Sequence, residues 1–144
     1  MIVGPRSDED ERMIVVPDPE QLARAVRTFR NTDSDPAYLE SPGTLIFVAV
    51  LGDELVGWCW GYRLIRPDNS SMLYVHQLEV VESHRGQGVG RELLTTFMTA
   101  GKATGATKMF LTTGADNTPA RKLYESAGGG LATQGPTVNY WFLL

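Results

Sequence analysis

Arg85-Gly86-Gln87-Gly88-Val89-Gly90-Arg91 stands where a run of β-formers gives way to a helical pattern. A helix N-terminus leaves backbone N–H groups unpaired and carries partial positive charge. A phosphate placed there satisfies both, and glycines let the backbone approach it closely. Arg85 and Arg91 flank the turn and add charge. The segment therefore reads as a pyrophosphate cradle. The P-loop is excluded, because Val89-Gly90-Arg91 does not supply its Gly-Lys-Ser/Thr ending. The dinucleotide fingerprint is excluded too, because the glycines fall at 86, 88 and 90 and the preceding strand follows a hairpin.

On that preceding strand, Tyr74, His76 and Leu78 alternate with Val75, Gln77 and Glu79. Histidine accepts a proton near neutral pH, so His76 is the first candidate general base, directly or through water. Glu79 is the alternative. Ideal alternation points it away from His76, and a β-bulge would change that. His84 abuts the cradle and reads as a structural or phosphate-side residue.

These residues need elements to hold them. Met13 to Val16 reads as a strand, and Pro17 to Asn31 as a helix with Leu22, Ala25, Val26 and Phe29 on one face. Thr32 to Gly43 is a loop with one helical turn around Ala37 to Glu40. Thr44 to Leu51 and Glu54 to Ile65 form a hairpin turning at Gly52-Asp53. In its second strand Val56, Trp58, Trp60, Tyr62 and Leu64 make a large face, and Leu55, Gly57, Cys59 and Gly61 a mostly small one. Met72 to Val81 completes the meander. Gly88 to Thr104 is a helix with Val89, Leu93, Leu94, Phe97 and Met98 on one face. Lys108 to Thr113 reads as a buried strand. Asn117 caps a helix with Pro119 in its first turn and Ala120, Leu123, Tyr124 and Ala127 on one face, and Gly128 ends it. Val138 to Leu143 reads as a last strand. The class is α+β, an antiparallel meander followed by a strand–helix–strand–helix–strand tail.

At this point the sequence resembles a known family. Arg85-Gly86-Gln87-Gly88-Val89-Gly90 is similar to the R/Q-x-x-G-x-G/A signature of the GNAT N-acetyltransferases, and Asn117, Ala120 and Tyr124 match N-x-x-A-x-x-x-Y in the family's second helix. The resemblance covers roughly residues 12 to 144. It implies a mostly antiparallel twisted sheet of about six to seven strands flanked by about four helices. It implies acetyl-CoA as cofactor and no metal. The cofactor-binding residues it implies are Leu78, Val80, Arg85, Gly86, Gln87, Gly88, Val89, Gly90, Arg91, Asn117 and Tyr124. Leu78 and Val80 would offer backbone groups to the pantetheine amides. Tyr124 matches the tyrosine that donates to the leaving thiolate. A phenol near pKa 10 facing a thiol near 8.5 makes full transfer uphill, but a hydrogen bond alone helps. Tyr74 and His76 fall where relatives place their bases.

Within the family the resemblance is to small aminoglycoside 3-N-acetyltransferases, carried by "VGWCWGYRLIRPD", "LYVHQLEVVESHRGQGVG", "DNTPARKLYESAGG" and "VNYWFLL". It implies a primary amine of a small cationic acceptor. Such relatives often carry an acid where Gln77 stands. Binding a polycation needs several carboxylates. Asp33, Asp35, Glu40, Glu79 and Asp116 are the candidate contacts, with Tyr74 and Gln77 beside them. Three alternatives stay open: acetylation of another small amine or peptide, acetyl-CoA binding without turnover, and a glycine turn that binds nothing.

The bulk numbers agree. The chain has 144 residues and reads as one domain, with residues 1 to 10 as a loose tail. Net charge is −4, and nine of the seventeen acids lie in the first forty residues. That balance disfavours nucleic acid and suits a cationic substrate. Cys59 is the only cysteine, so no intrachain disulfide or cysteine metal cluster forms. No apolar run approaches the roughly 20 residues of a membrane helix, and no signal-peptide pattern opens the chain. A cytoplasmic setting fits best. The aromatic C-terminal strand could contribute to a homodimer.

Overall fold

The computed structural model describes residues 11–144; the expected tail, 1 to 10, lies outside them. The chain divides into two compact units, Met1–Thr112 and Thr113–Leu144.

The first unit is a five-stranded sheet in simple sequential order: β1 (Arg12–Val15), β2 (Thr44–Leu51), β3 (Glu54–Ile65), β4 (Ser71–Val80) and β5 (Met109–Phe110). The first four strands pair antiparallel, and β5 pairs parallel to β4. Helix α1 (Pro19–Arg30) and the single turn α2 (Ala37–Glu40) cover one face. Helix α3 (Val89–Ala103) covers the other, and a 3-10 turn (Glu82–His84) links β4 to the glycine segment.

Local chemistry explains these elements. Asp18 caps α1 in a reciprocal box with Gln21, a device worth about 1 kcal/mol. Leu22 and Ala25 of α1 then bury against Ile46, Val48, Leu55 and Trp58. On the opposite face Val89, Leu93, Leu94 and Phe97 of α3 are almost wholly buried. The small residues of β3 permit this close packing. A Cβ at Gly57 would come within 2.9 Å of Leu93.

Two bulges depart from the expected alternation. Val50 pairs with Leu55 although Ala49 pairs with Gly57, so Val56 is extra. Leu55, not Val56, therefore joins Trp58 in the α1 cluster. Trp60 pairs with Gln77 although Gly61 pairs with Val75, so His76 is extra on β4. A Cβ at Gly61 would stand 1.9 Å from the Tyr74 carbonyl oxygen, so this bulge requires glycine opposite it.

Among the described residues the sheet holds five strands rather than six or seven. The strand expected over Lys108 to Thr113 shortens to Met109–Phe110, and Phe110 is exposed rather than buried. Val138 to Leu143 forms no strand. Apolar alternation proposes a strand, but only a partner's ladder makes one.

The second unit contains α4 (Thr118–Ser126). Asn117 caps it by accepting the Ala120 N–H at 3.2 Å. Ala120, Leu123, Tyr124 and Ala127 are half-buried, as their spacing predicts. Gly128, at φ +100°, ends the helix.

Candidate active site

The glycine turn is built as the sequence implies. Gly86 and Gly88 both have positive φ, +75° and +84°, and Gly88 is the N-cap of α3 without a side chain to cap it. Val89 is buried, so it anchors the turn to the core and can offer a ligand only its backbone. The outer side of the turn is open. A Cβ at Gly86 would meet nothing within 4 Å, and one at Gly88 only the Arg12 guanidinium at 3.9 Å. The glycines are thus not forced by crowding from the protein itself. They leave a shelf of backbone at a helix N-terminus, which fits a pyrophosphate.

The charged neighbours are positioned individually. Arg85 donates from Nε to the Val80 carbonyl at 3.0 Å, which ties the turn to the end of β4. Gln87 is exposed, and its side chain reaches the Ser83 carbonyl at 3.4 Å. Gly90 and Arg91 lie in the first turn of α3. His84 pairs through Nδ1 with the Ser83 hydroxyl at 2.9 Å, a local structural contact.

One residue was missed by the sequence reading. Arg12 of β1 is buried, with its side chain 4% exposed. It donates from Nε and Nη2 to Glu92 Oε2, at 2.8 and 2.7 Å, and from Nη1 to the Gln87 carbonyl at 3.3 Å. No local signal could have found it, because 75 and 80 residues separate it from these partners.

Strand β4 supplies the remaining features. On its outer edge it pairs with β5 only at Leu73 and Tyr74. The Val81 N–H donates to Val56 on the β3 side. Alternation then turns the backbone groups of Leu78 and Val80 to the outer edge, where Arg85 already takes the Val80 carbonyl. Leu78 is left with outward groups suited to an amide ligand.

The bulge at His76 brings the candidate acid–base residues onto one face. Tyr74 pairs with Tyr62, Gln77 with Trp60 and Glu79 with Trp58. The exposed His76 ring stacks on Trp60 at 4.5 Å and approaches Tyr74 at 5.5 Å. Tyr74 also stacks on Phe110. The Gln77 amide oxygen accepts the Trp60 indole N–H at 3.0 Å, so Gln77 holds that ring in place. Glu79 is half-buried. Burial pushes its carboxyl above the usual range, opposed by the charges of Arg30 and Arg85.

The same face opens into a cleft of about 320 Å³ under the α1–α2 loop. Its walls include Leu22, Val26, Ile46, Tyr38, Trp58 and Trp60, and its rim includes Arg30, Asp33 and Asp35. Tyr38 donates to the carbonyls of Gly61 and Leu45, and burial raises its phenol well above normal. The Trp58 indole N–H is buried with no hydrogen-bond partner. Of the expected cation contacts, Asp33 and Asp35 line the cleft. Asp33 is paired with Arg27 and Asp35 caps the Ala37 N–H. Glu40 does not line it. Asp116 and Tyr124 lie in the second unit, Asp116 exposed and Tyr124 half-buried. Among the described residues no cluster of three or more His, Cys, Asp or Glu could hold a metal ion.

Comparison with known proteins follows this geometry. The sequence model of the acetyltransferase (GNAT) family matches residues 10–129. The chain belongs to the GNAT family. An aminoglycoside acetyltransferase from an uncultured soil metagenomic sample, solved with sisomicin, superposes with TM-score 0.78 at 19% identity, covering 96% of this chain and 99% of that one. AAC(6')-Iy, solved with a bisubstrate analog of CoA, gives 0.74 at 17%, covering 92% and 99%. At such identities the likeness is of GNAT fold. Among sequence relatives, the uncharacterized N-acetyltransferase YycN of Bacillus subtilis is 30% identical over 67% of this chain and 62% of its own length. N-alpha-acetyltransferase 40 of Saccharomyces cerevisiae is 35% identical over 48% of this chain. The chain spans 62% and 28% of these two GNAT relatives. Among the described residues, no helix of this GNAT chain is long and apolar enough to cross a membrane.

Proposed function

We propose that the chain is an acetyl-CoA-dependent N-acetyltransferase, a single catalytic domain that acetylates a primary amine of a small cationic molecule in a ternary complex. The observation that carries this is the open glycine shelf at the N-terminus of α3, which follows the unpaired edge of β4. Acetyl-CoA, when bound, supplies an activated acetyl thioester. The backbone of Gly86 to Gly90 grips the pyrophosphate, with Arg85 and Arg91 adding charge. Leu78 and Val80 meet the pantetheine amides. His76, or Glu79 through water, takes the proton that the acceptor ammonium must lose before it attacks. Tyr124 and Asn117 are assigned from the family pattern, Tyr124 as the hydrogen-bond donor to the leaving thiolate.

Aminoglycosides, with 3-N transfer expected, are the first acceptor class. The neighbours solved with aminoglycoside-type ligands support this, as do the carboxylates of Asp33 and Asp35 on the cleft rim. A second reading, another small amine or a peptide N-terminus, is favoured by the apolar and aromatic cleft walls and by the similarity to N-alpha-acetyltransferase 40. A cytoplasmic setting is part of the proposal. So is a homodimer to which the aromatic C-terminus contributes.

The test is release of free CoA thiol from acetyl-CoA with gentamicin, kanamycin, polyamines and short peptides. Drug-dependent release supports the first reading, and product analysis then gives the regiochemistry. Release with peptides or polyamines alone supports the second. No release from any amine, in a protein that still binds CoA, would overturn catalysis.

A further inference from the structure

Arg12 sits at an unusual place for a cation. It lies against the first turn of α3, where the helix dipole favours anions. The natural stabiliser of that turn is Glu92, which stands in it. Arg12 occupies Glu92 with two donors and thereby cancels its charge. An unpaired carboxylate there would repel any polyphosphate on the adjacent shelf. The third donor of Arg12 holds the Gln87 carbonyl. A trans peptide is planar, so its C=O and N–H point in opposite directions. Holding the Gln87 carbonyl toward β1 turns the Gly88 N–H away from Arg12, toward the open side of the turn.

We propose that Arg12 is a positioning residue for the phosphate cradle, acting by neutralising Glu92 and by orienting the Gln87–Gly88 peptide. This rests on reading the glycine turn as the CoA pyrophosphate site. Arg12 need not touch the ligand. Its effect is confined to ligands that carry the pyrophosphate, and it has two separable parts, charge and peptide orientation.

The experiment compares the full chain with R12M, R12K, E92Q and R12M/E92Q. It measures CoA affinity by calorimetry, and steady-state kinetics with acetyl-CoA and with S-acetylpantetheine, which lacks the pyrophosphate. R12M should raise Kd for CoA and KM for acetyl-CoA by about 10-fold or more, the scale of a lost charge-assisted hydrogen bond, with kcat little changed. KM for S-acetylpantetheine should not move. R12M/E92Q should recover part of the loss, because it removes the uncovered carboxylate. R12K should recover the charge part in the same way. A folded R12M or R12K with wild-type CoA affinity would overturn the proposal. So would equal losses with acetyl-CoA and S-acetylpantetheine, which would mark a merely structural arginine. Should R12M fail to fold, unchanged CoA affinity in R12K and a loss in E92Q would overturn it equally. A wild-type protein that binds no CoA would overturn the cradle reading itself, an outcome distinct from all of these.

Discussion

The His76 imidazole lies on the Trp60 indole, with ring centroids 4.5 Å apart and planes inclined by 29°. The contact exists because β4 carries one extra residue at His76, opposite the step from Trp60 to Gly61. The bulge lets Tyr74, Gln77 and Glu79 pair with the large-faced residues of β3 while His76 leans over the same face. A candidate base is thereby braced by an aromatic ring and still reaches solvent.

If His76 is the base, His76→Gln should lower kcat by roughly 10²- to 10⁴-fold and leave CoA affinity intact. Steady-state kinetics with calorimetric CoA binding would show it. A variant with wild-type kcat would pass the role to Glu79.

Glu79 should leave a signature in stability against pH. Burial raises its folded pKa above the unfolded value, so the folded protein holds the proton more tightly. Ionisation then costs stability as pH rises from the ordinary glutamate range through the raised pKa, and the cost is absent at lower pH. Glu79→Gln should therefore raise the thermal midpoint at pH 7 and leave it unchanged below about pH 4. Equal midpoints at pH 7 would contradict this.

Gly61→Ala tests the bulge. The added Cβ would meet the Tyr74 carbonyl at 1.9 Å, a backbone atom that cannot rotate aside. Overpacking of this kind costs about 1–3 kcal/mol, and this site should lie at the upper end. Urea unfolding would read the loss. Activity should fall further than stability explains, because straightening the bulge moves His76.

Gly88→Val tests the shelf. A β-branched residue at φ +84° is strained by about 1–2 kcal/mol, and its Cβ would stand 3.9 Å from the Arg12 guanidinium, so the side chain would disturb the turn's backbone. CoA affinity should collapse in a folded protein. Gly105→Ala is the control, since Gly105 has φ +100° beyond the far end of α3 and should cost stability without touching CoA binding. Normal CoA binding by the Gly88 variant would refute the phosphate assignment.

Tyr124→Phe removes one hydroxyl while keeping the half-buried ring. Turnover should fall more than acetyl-CoA affinity, since a donor to the leaving thiolate acts mainly as charge develops on sulfur. Unchanged turnover would remove Tyr124 from the mechanism.

What the sequence determined by itself was local. The glycine spacing specified the turn, Asn117 marked one helix start, and alternation placed Trp58, Trp60 and Tyr62 on one face. Each signal acts within one or two turns of chain, where propensity and side-chain period suffice. Tertiary structure decided the rest. The bulge at His76 is a mismatch between two strands, so neither strand displays it alone. The clamp of Arg12 on Glu92 and Gln87 joins β1 to the first turn of α3 across the sheet's own order. The strands expected at Lys108 to Thr113 and Val138 to Leu143 shortened or did not form, because a strand is completed by its partner's hydrogen bonds and not by its own pattern.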